Sequence, residues 1–173
     1  ALALWLPHYL IGVYGFDVKT AGMVGAAYSI PASIFRAYGG VLSDRVGARV
    51  VMYWTLIVSG LATAILSLPV AVPVTVFLAV IFTLGFFMSL GKAAVYKHIP
   101  SYYPQNVGAV GGLVGMIGGL GGFVLPLLFG WLKDQTGLWS SCFMVLFVLV
   151  LGCLGWMHVS VRRITRAATP QAA

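Results

Sequence analysis

Acidic side chains are almost missing from this sequence, which has only three of them in 173 residues: Asp17, Asp44 and Asp134. Each falls in a predicted turn, and the three are too scattered to serve as a general acid and base on one substrate. Charge of either sign is also scarce, at 8% of residues, whereas soluble domains carry about 25%. We therefore expect neither an enzyme nor a soluble domain.

Cysteine and histidine are equally sparse, and neither is arranged for chemistry. The cysteines, Cys142 and Cys153, lie on one predicted helix, about 16 Å apart along its axis, which is too far for a disulfide. The three histidines share no spacing typical of metal ligands: His8, His98 and His158. The sequence therefore predicts no metal and no cofactor.

Apolar residues are abundant, at 61% of the sequence, and so is glycine, with 22 residues. Long continuous apolar runs, without the alternation of outer-membrane strands, indicate an all-α membrane protein. Glycine suits such a protein because it lets helices approach closely in lipid. The net charge of +7 comes mainly from cations in short junctions and at the C-terminus, so it indicates membrane topology and not nucleic-acid binding.

Polar turns divide the apolar sequence into six predicted transmembrane helices. They lie at about residues 1–14, 21–42, 50–68, 73–97, 107–132 and 138–161. We expect residues 1–161 to form one bundle and residues 162–173 to form a disordered cytoplasmic tail. The chain starts within an apolar run, so we expect a fragment of a larger protein whose first helix is cut short.

The basic residues at the helix ends predict the orientation in the membrane. One side carries Arg45, Arg49, Lys97, Arg162, Arg163 and Arg166, and the other carries Lys19 and Lys133. Since cytoplasmic segments are rich in lysine and arginine, residues 43–49 and the C-terminus are predicted to be cytoplasmic.

Arg36 is the strongest candidate for a binding residue, because it stands in an uncharged stretch long enough to cross a bilayer. A guanidinium there costs about 3 kcal/mol or more and cannot lose its proton, so we expect it to face a cavity and bind an anion. Tyr28 and Ser29 lie near the same helical face, with ordinary packing as the alternative for Tyr28. The alternative for Arg36 is snorkelling toward Asp44, about 12 Å along the helix.

Lys92 is the second charge at membrane depth, and Tyr96 follows one helical turn later. A lysine here can face a substrate cavity, or it can snorkel toward the helix end beside Lys97. The sequence favours neither reading.

Glycine is concentrated in residues 108–122, where eight of fifteen residues are glycine. Each glycine costs a helix about 1 kcal/mol relative to alanine, so the run needs a reason. Packing commonly explains a single glycine pair, but a run this dense indicates a moving helix contact or a substrate passage. The positions that we expect to face substrate are Gly111, Gly115, Gly118 and Gly119.

Residues 39–49, Gly-Gly-Val-Leu-Ser-Asp-Arg-Val-Gly-Ala-Arg, resemble the cytoplasmic loop motif of the major facilitator superfamily. In that motif a glycine helix end precedes Asp-Arg-x-Gly-x-Arg, and its place after the second of six helices also fits. The resemblance implies the C-terminal six-helix half of a twelve-helix fold. It also implies that four residues take part in gating: Asp44, Arg45, Gly47 and Arg49.

Within that superfamily the chain resembles the nitrate/nitrite porter family. Residues 35–40, Phe-Arg-Ala-Tyr-Gly-Gly, are similar to the family's arginine segment in helix eight, and the glycine run is similar to its signature in helix eleven. The resemblance implies that Arg36 is one of two arginines that clamp the anion, the other lying in the N-terminal half. The glycine run lacks the asparagine of that signature, so in this half the backbone groups of the run would have to contribute to binding the anion.

The resulting expectation is transport of nitrate or nitrite by alternating access across a bacterial inner membrane. The expected partners are the nitrate or nitrite anion, an N-terminal six-helix half and the lipid bilayer, without nucleic acid. Two alternatives stay open: a transporter of another small anion such as a short carboxylate, and a membrane scaffold or sensor that does not transport.

Overall fold

The computed structural model describes residues 1–70 and 72–168, which form six α-helices joined by short connections. The helices are α1 (Leu2–Tyr14), α2 (Val18–Val46), α3 (Ala48–Ser67), α4 (Val74–Tyr102), α5 (Val107–Thr136) and α6 (Ser141–Ala168). Their number and order are those predicted from the apolar runs. By length and composition, α3 to α6 are each able to cross a membrane, and α1 is a shorter apolar helix. Helix α2 is more polar, but its 29 residues would reach about 43 Å.

The helices extend further than the apolar runs, because the flanking polar residues continue them. Helix α2 runs through most of the predicted loop at 43–49 and ends at Val46. Only Gly47 separates it from α3, with a φ of 89° in the left-handed region that favours glycine. The prediction of a loop over 43–49 is therefore wrong except at this one residue.

Helix α6 also continues beyond its predicted end, through Ala168. Residues 162–168 are thus helical, and the predicted disorder of this part of the tail is wrong. Arginine and alanine are good helix formers, and Arg166 in the last turn is favourable beside the helix dipole. The rest of the tail, residues 169–173, lies outside the described residues.

Helix α2 begins earlier than predicted because Asp17 caps its N-terminus. The Asp17 carboxylate accepts a hydrogen bond of 3.0 Å from the backbone N–H of Thr20, which satisfies one of the free donors of the first turn. Hydrogen bonding by Thr20 lowers the pKa of Asp17 below its ordinary value.

The main apolar core draws on all six helices and is centred on aromatic rings. Tyr9 of α1 stacks on Phe77 of α4 with the ring centroids 4.9 Å apart, and it meets the ring of Phe143 in α6 at 5.3 Å. A smaller cluster of Val51, Leu90 and Ala94 joins α3 to α4. These contacts fix the height of the helices relative to one another.

Helix α4 packs against both α2 and α3, and glycines allow these close crossings. A Cβ atom added to Gly39 of α2 would lie 2.9 Å from the Cα atom of Leu90 in α4. A Cβ atom added to Gly91 of α4 would lie 2.5 Å from the Thr55 side chain in α3. Both approaches depend on the missing side chain, as is typical of helix contacts in membranes.

Gly39 and Gly40 provide a matched test of the α2–α4 crossing. We expect Gly39→Ala to destabilise the purified protein by about 1–3 kcal/mol, since the new methyl group meets helix backbone that has no rotamer with which to yield. A Cβ atom at Gly40 would meet no atom within 4 Å, so Gly40→Ala should be neutral or slightly stabilising. Thermal unfolding in detergent compares the two. Equal effects would show that the close crossing is absent.

Candidate functional site

Arg36 lies on a face of α2 that the other described helices leave exposed. Its neighbours on both sides are held against α4: the Phe35 ring meets the Phe86 ring at 4.7 Å, and Gly39 abuts Leu90. The position of Arg36 along the bundle is therefore set by α4. Helix α2 continues for ten residues beyond Arg36, about 15 Å, which makes the snorkelling alternative less favourable.

No carboxylate neutralises Arg36 among the described residues. The ion pairs there join Asp44 to Lys97 and Asp134 to Lys133, so Asp17 is the one remaining acid. Asp17 lies at the opposite end of α2, where it caps the helix. Arg36 thus keeps its donors available for an anion supplied from outside these residues.

Tyr28 and Ser29 are placed less favourably for anion binding than the sequence predicted. Tyr28 is buried, with its ring edge-on to Phe82 and against the backbone of Gly85. The Ser29 hydroxyl is exposed but donates its hydrogen to the Gly25 carbonyl at 3.0 Å. Packing for Tyr28 and local backbone bonding for Ser29 are the roles that this geometry favours, and their binding roles stay predictions.

Lys92 is exposed on α4, close along the chain to Leu90, which supports Gly39 of α2. One turn later, the Tyr96 hydroxyl would lie 3.4 Å from a Cβ atom at Gly115 of α5. Along α4, Arg36 lies near the level of Phe86, Lys92 six residues further on and the Gly115 contact ten residues further on, a spread of about 15 Å. The structure does not bring Lys92 and Gly115 to the level of Arg36, and the role of Lys92 stays a prediction.

The glycine stripe of α5 is largely uncovered. Cβ atoms added to Gly118 or Gly119 would meet no atom within 4 Å, and one added to Gly111 would just touch Ile99 at 4.0 Å. Phe129 is the one buried residue of the whole helix. Packing among the described helices therefore does not explain the glycine run, and the stripe is free for a ligand or for further protein.

The four residues predicted to take part in gating lie where α2 ends and α3 begins. Asp44 forms an ion pair with Lys97 of α4, and the Arg49 guanidinium donates to the Tyr102 hydroxyl through Nη2 at 2.6 Å and through Nε at 3.2 Å. Both contacts tie the α2–α3 junction to the end of α4. Arg45 and Gly47 are exposed beside them.

Sequence reasoning missed Lys97 and Tyr102 as the partners of this junction. From the sequence, Lys97 is predicted only to be one of the basic residues that set the topology. Each lies 53 residues along the chain from the residue that it contacts, so no local spacing could have indicated the pairing.

A groove with a volume of about 790 Å³ lies elsewhere, between α3, α4 and α6. Its lining is almost wholly apolar and includes none of the predicted substrate-binding residues. An anion would lose its hydration there without gaining donors, so the size of this groove does not make it the substrate site.

Comparison with known proteins agrees with the loop motif and the helix order. Residues 1–172 match the model of the Major Facilitator Superfamily. The chain belongs to this superfamily. That assignment confirms the resemblance of residues 39–49, and it fits a bundle of six helices.

Among curated proteins, relatives of this superfamily chain carry names that refer to nitrate. The "Probable nitrate/nitrite antiporter NarK1" of Thermus thermophilus is 44% identical over 95% of this chain and 41% of its own length. The "Probable nitrate transporter NarT" of Staphylococcus aureus strain JH9 is 30% identical over 87% of this chain and 38% of its own length. The chain thus spans about two fifths of these relatives. No solved structure matches it.

The Asp44–Lys97 pair predicts a small, salt-sensitive energetic coupling. Asp44 is 62% and Lys97 36% exposed, and exposed pairs contribute about 0.2–1 kcal/mol. We expect a double-mutant cycle with Asp44→Asn and Lys97→Gln to give a coupling in this range that shrinks in 0.5 M salt. Asp44→Asn combined with Lys19→Gln, an exposed residue at the opposite end of α2 and about 37 Å away along the helix, is the control and should be additive. If the effects of Asp44→Asn and Lys97→Gln also add, the two residues are not coupled, and the ion pair would be contradicted.

Proposed function

We propose that this chain is the C-terminal six-helix half of a transporter for nitrate or nitrite. The observation that carries the proposal is Arg36: a permanent cation within the span of α2, exposed beside α4 and without an acid partner among the described residues. Such a charge is stable in a membrane only when it faces water, protein or an anion. A bound small anion would compensate the charge of Arg36, and binding such an anion is the function that we propose for this residue.

The chemistry of Arg36 favours a small planar anion. A guanidinium offers paired coplanar donors that match two oxygens on one central atom, which a lysine ammonium does not. Nitrate, nitrite and short carboxylates all present such a pair. The names of the relatives favour nitrate and nitrite among these, and a transporter of short carboxylates is the second candidate.

The remaining wall of the site would come from an N-terminal six-helix half. The exposed face of α2 and the bare stripe of α5 are the surfaces that it would cover. The relatives are long enough to hold such a half, since this chain matches about two fifths of their length. Transport would then proceed by one half rocking against the other around a site near the midplane.

The contacts at the α2–α3 junction suit a latch that must open in each cycle. An exposed ion pair such as Asp44–Lys97 is weak, so its rupture adds little to the barrier between states. Arg45, Gly47 and Arg49 stand at the same junction, and Gly47 supplies a one-residue hinge with a backbone angle that other residues rarely adopt. We assign these four gating positions, Asp44 included, to the balance between the two open states and not to the anion site.

The proposed location is the inner membrane of a bacterium, with the α2–α3 junction and the C-terminus in the cytoplasm. The excess of basic residues on that side supports this orientation.

Arg36→Lys in the complete transporter tests the anion site. We expect the variant to fold and insert but to lose about tenfold or more of its nitrate uptake, because lysine keeps the charge and loses the paired donors, which are worth about 1.5–3 kcal/mol. Uptake of labelled nitrate by proteoliposomes measures the loss. Arg166→Lys, an exposed exchange on α6, is the control. Nitrate uptake by Arg36→Lys at the wild-type rate would contradict the proposed binding of the anion by Arg36.

Two further measurements separate the alternatives. Nitrate should raise the thermal stability of the purified transporter, whereas a scaffold or sensor without an anion site should not respond. A short carboxylate such as formate should compete with nitrate only weakly. Stronger protection by formate than by nitrate would favour the second candidate.

The glycine stripe of α5 gives an independent test. We expect Gly119→Leu to abolish uptake while protein remains in the membrane, because the new side chain blocks a close approach to the stripe. A Cβ atom at Gly119 would meet no atom of the described residues within 4 Å, so the loss would report on a substrate or a second half. Gly155→Leu on α6 also enters open space and should transport normally. Normal uptake by Gly119→Leu and Gly115→Leu would show that the stripe faces lipid.

A further inference from the structure

The groove between α3, α4 and α6, here called the acyl groove, has no part in the proposed anion site. Its volume is about 790 Å³, and its walls include Leu56 of α3, Met88 of α4 and Trp156 of α6. The Thr55 hydroxyl in its lining is already bonded to the Phe87 carbonyl at 3.1 Å. A flexible hydrocarbon chain fits such a space, since it needs no hydrogen bonds from the wall.

One end of the acyl groove adjoins a second pocket of about 320 Å³, whose lining includes polar as well as apolar side chains. The two share three lining residues, Met52, Met157 and Ser160. The second pocket also contains Arg49, His98, Tyr102 and Tyr103, and we call it the head pocket. The molecule thus has an apolar groove that is continuous with a pocket containing a cation and two tyrosines at the end of the bundle. This combination is suited to an amphiphilic ligand.

The charge of the head pocket selects the sign of its ligand. Arg49 lines it, and none of the three acidic residues of the chain does. Two of the five guanidinium N–H groups of Arg49 go to the Tyr102 hydroxyl, which leaves donors for a second acceptor. Tyrosines at this depth are typical of the level of lipid head groups. An anionic oxygen acceptor such as a phosphate diester matches this pocket.

We propose that the acyl groove and head pocket together bind one anionic phospholipid, with an acyl chain against α6 and its phosphate on Arg49. Basic pockets between transmembrane helices on the cytoplasmic side are known to bind anionic head groups. Arg49 also belongs to the α2–α3 junction, so the bound lipid would hold α3 and α6 against the end of α4. The proposal adds a lipid ligand to the transporter and does not depend on which anion is transported.

The occupant is a lipid and not a free phosphate, because the larger part of the cavity is apolar. A soluble phosphate would fill the head pocket and leave the acyl groove without a partner. A comparison with glycerol 3-phosphate, given below, distinguishes a bound lipid from a bound free phosphate.

The experiment uses the complete transporter, purified and delipidated, then offered equal amounts of phosphatidylglycerol and phosphatidylcholine. Native mass spectrometry counts the retained lipid. We expect phosphatidylglycerol to be favoured about five-fold, the effect of one basic side chain on an anionic lipid. Arg49→Gln should abolish this preference, Arg49→Lys should keep most of it, and Arg45→Gln, whose side chain lines neither pocket, should leave it unchanged.

The acyl groove is tested separately with a matched pair of glycines on α6. Gly152 lines the groove and Gly155 does not, and a Cβ atom at either position meets no atom within 4 Å. Gly152→Leu should lower retention of both lipids several-fold, whereas Gly155→Leu should not. Unchanged preference in Arg49→Gln, or full retention in Gly152→Leu, would overturn the proposal. So would equal thermal protection by glycerol 3-phosphate alone, which would reveal a phosphate site instead of a lipid site.

Discussion

The close approach of α2 and α3 to α4 is the constraint on which the rest of this bundle depends. At Gly39 and Gly91 there is no room for a side chain, so the three helices can pack in only one register. In lipid the hydrophobic effect does not drive helices together, and tight packing of this kind has to do so instead. A shift of α4 by one residue would bring Leu90 or Lys92 to the place of Gly91, where an added Cβ atom would lie 2.5 Å from the Thr55 side chain.

This register determines what each helix can offer to function. It holds Phe35 against Phe86 and Gly39 against Leu90, and so it leaves Arg36 on the outer face of α2. The same register brings the end of α2 beside Lys97 and the start of α3 beside Tyr102. The middle of the bundle therefore carries an uncompensated cation, while its end carries weak polar contacts that can break and re-form.

The uncovered surfaces differ in what would satisfy them. The face with Arg36 carries a strong charge, which lipid tails cannot satisfy, and the glycine stripe of α5 leaves helix backbone bare for a close approach by another helix or a ligand. The groove of α3, α4 and α6 is apolar along its length and basic only at one end, which a lipid does satisfy. The two sides of the bundle are thus suited to different surroundings: protein and anion on one, and membrane on the other.

The sequence by itself determined the membrane class and the six helices and made Arg36 the leading candidate for anion binding, because these follow from local properties: apolar length, turn residues and a charge without a neighbour. The family followed from residues 39–49 for the same reason. The helix ends were predicted less accurately, because they depend on features that hydropathy does not register. Asp17 caps the start of α2, and Gly47 ends it through a positive φ angle. For Tyr28 the sequence left anion binding and ordinary packing both open, and the structure favours packing because the Tyr28 ring lies against Gly85 of α4. The partners Lys97 and Tyr102, and the joining of an apolar groove to Arg49, come from residues far apart in the chain. Only the packing of α4 against its neighbours brings them together, so only the tertiary structure could decide them.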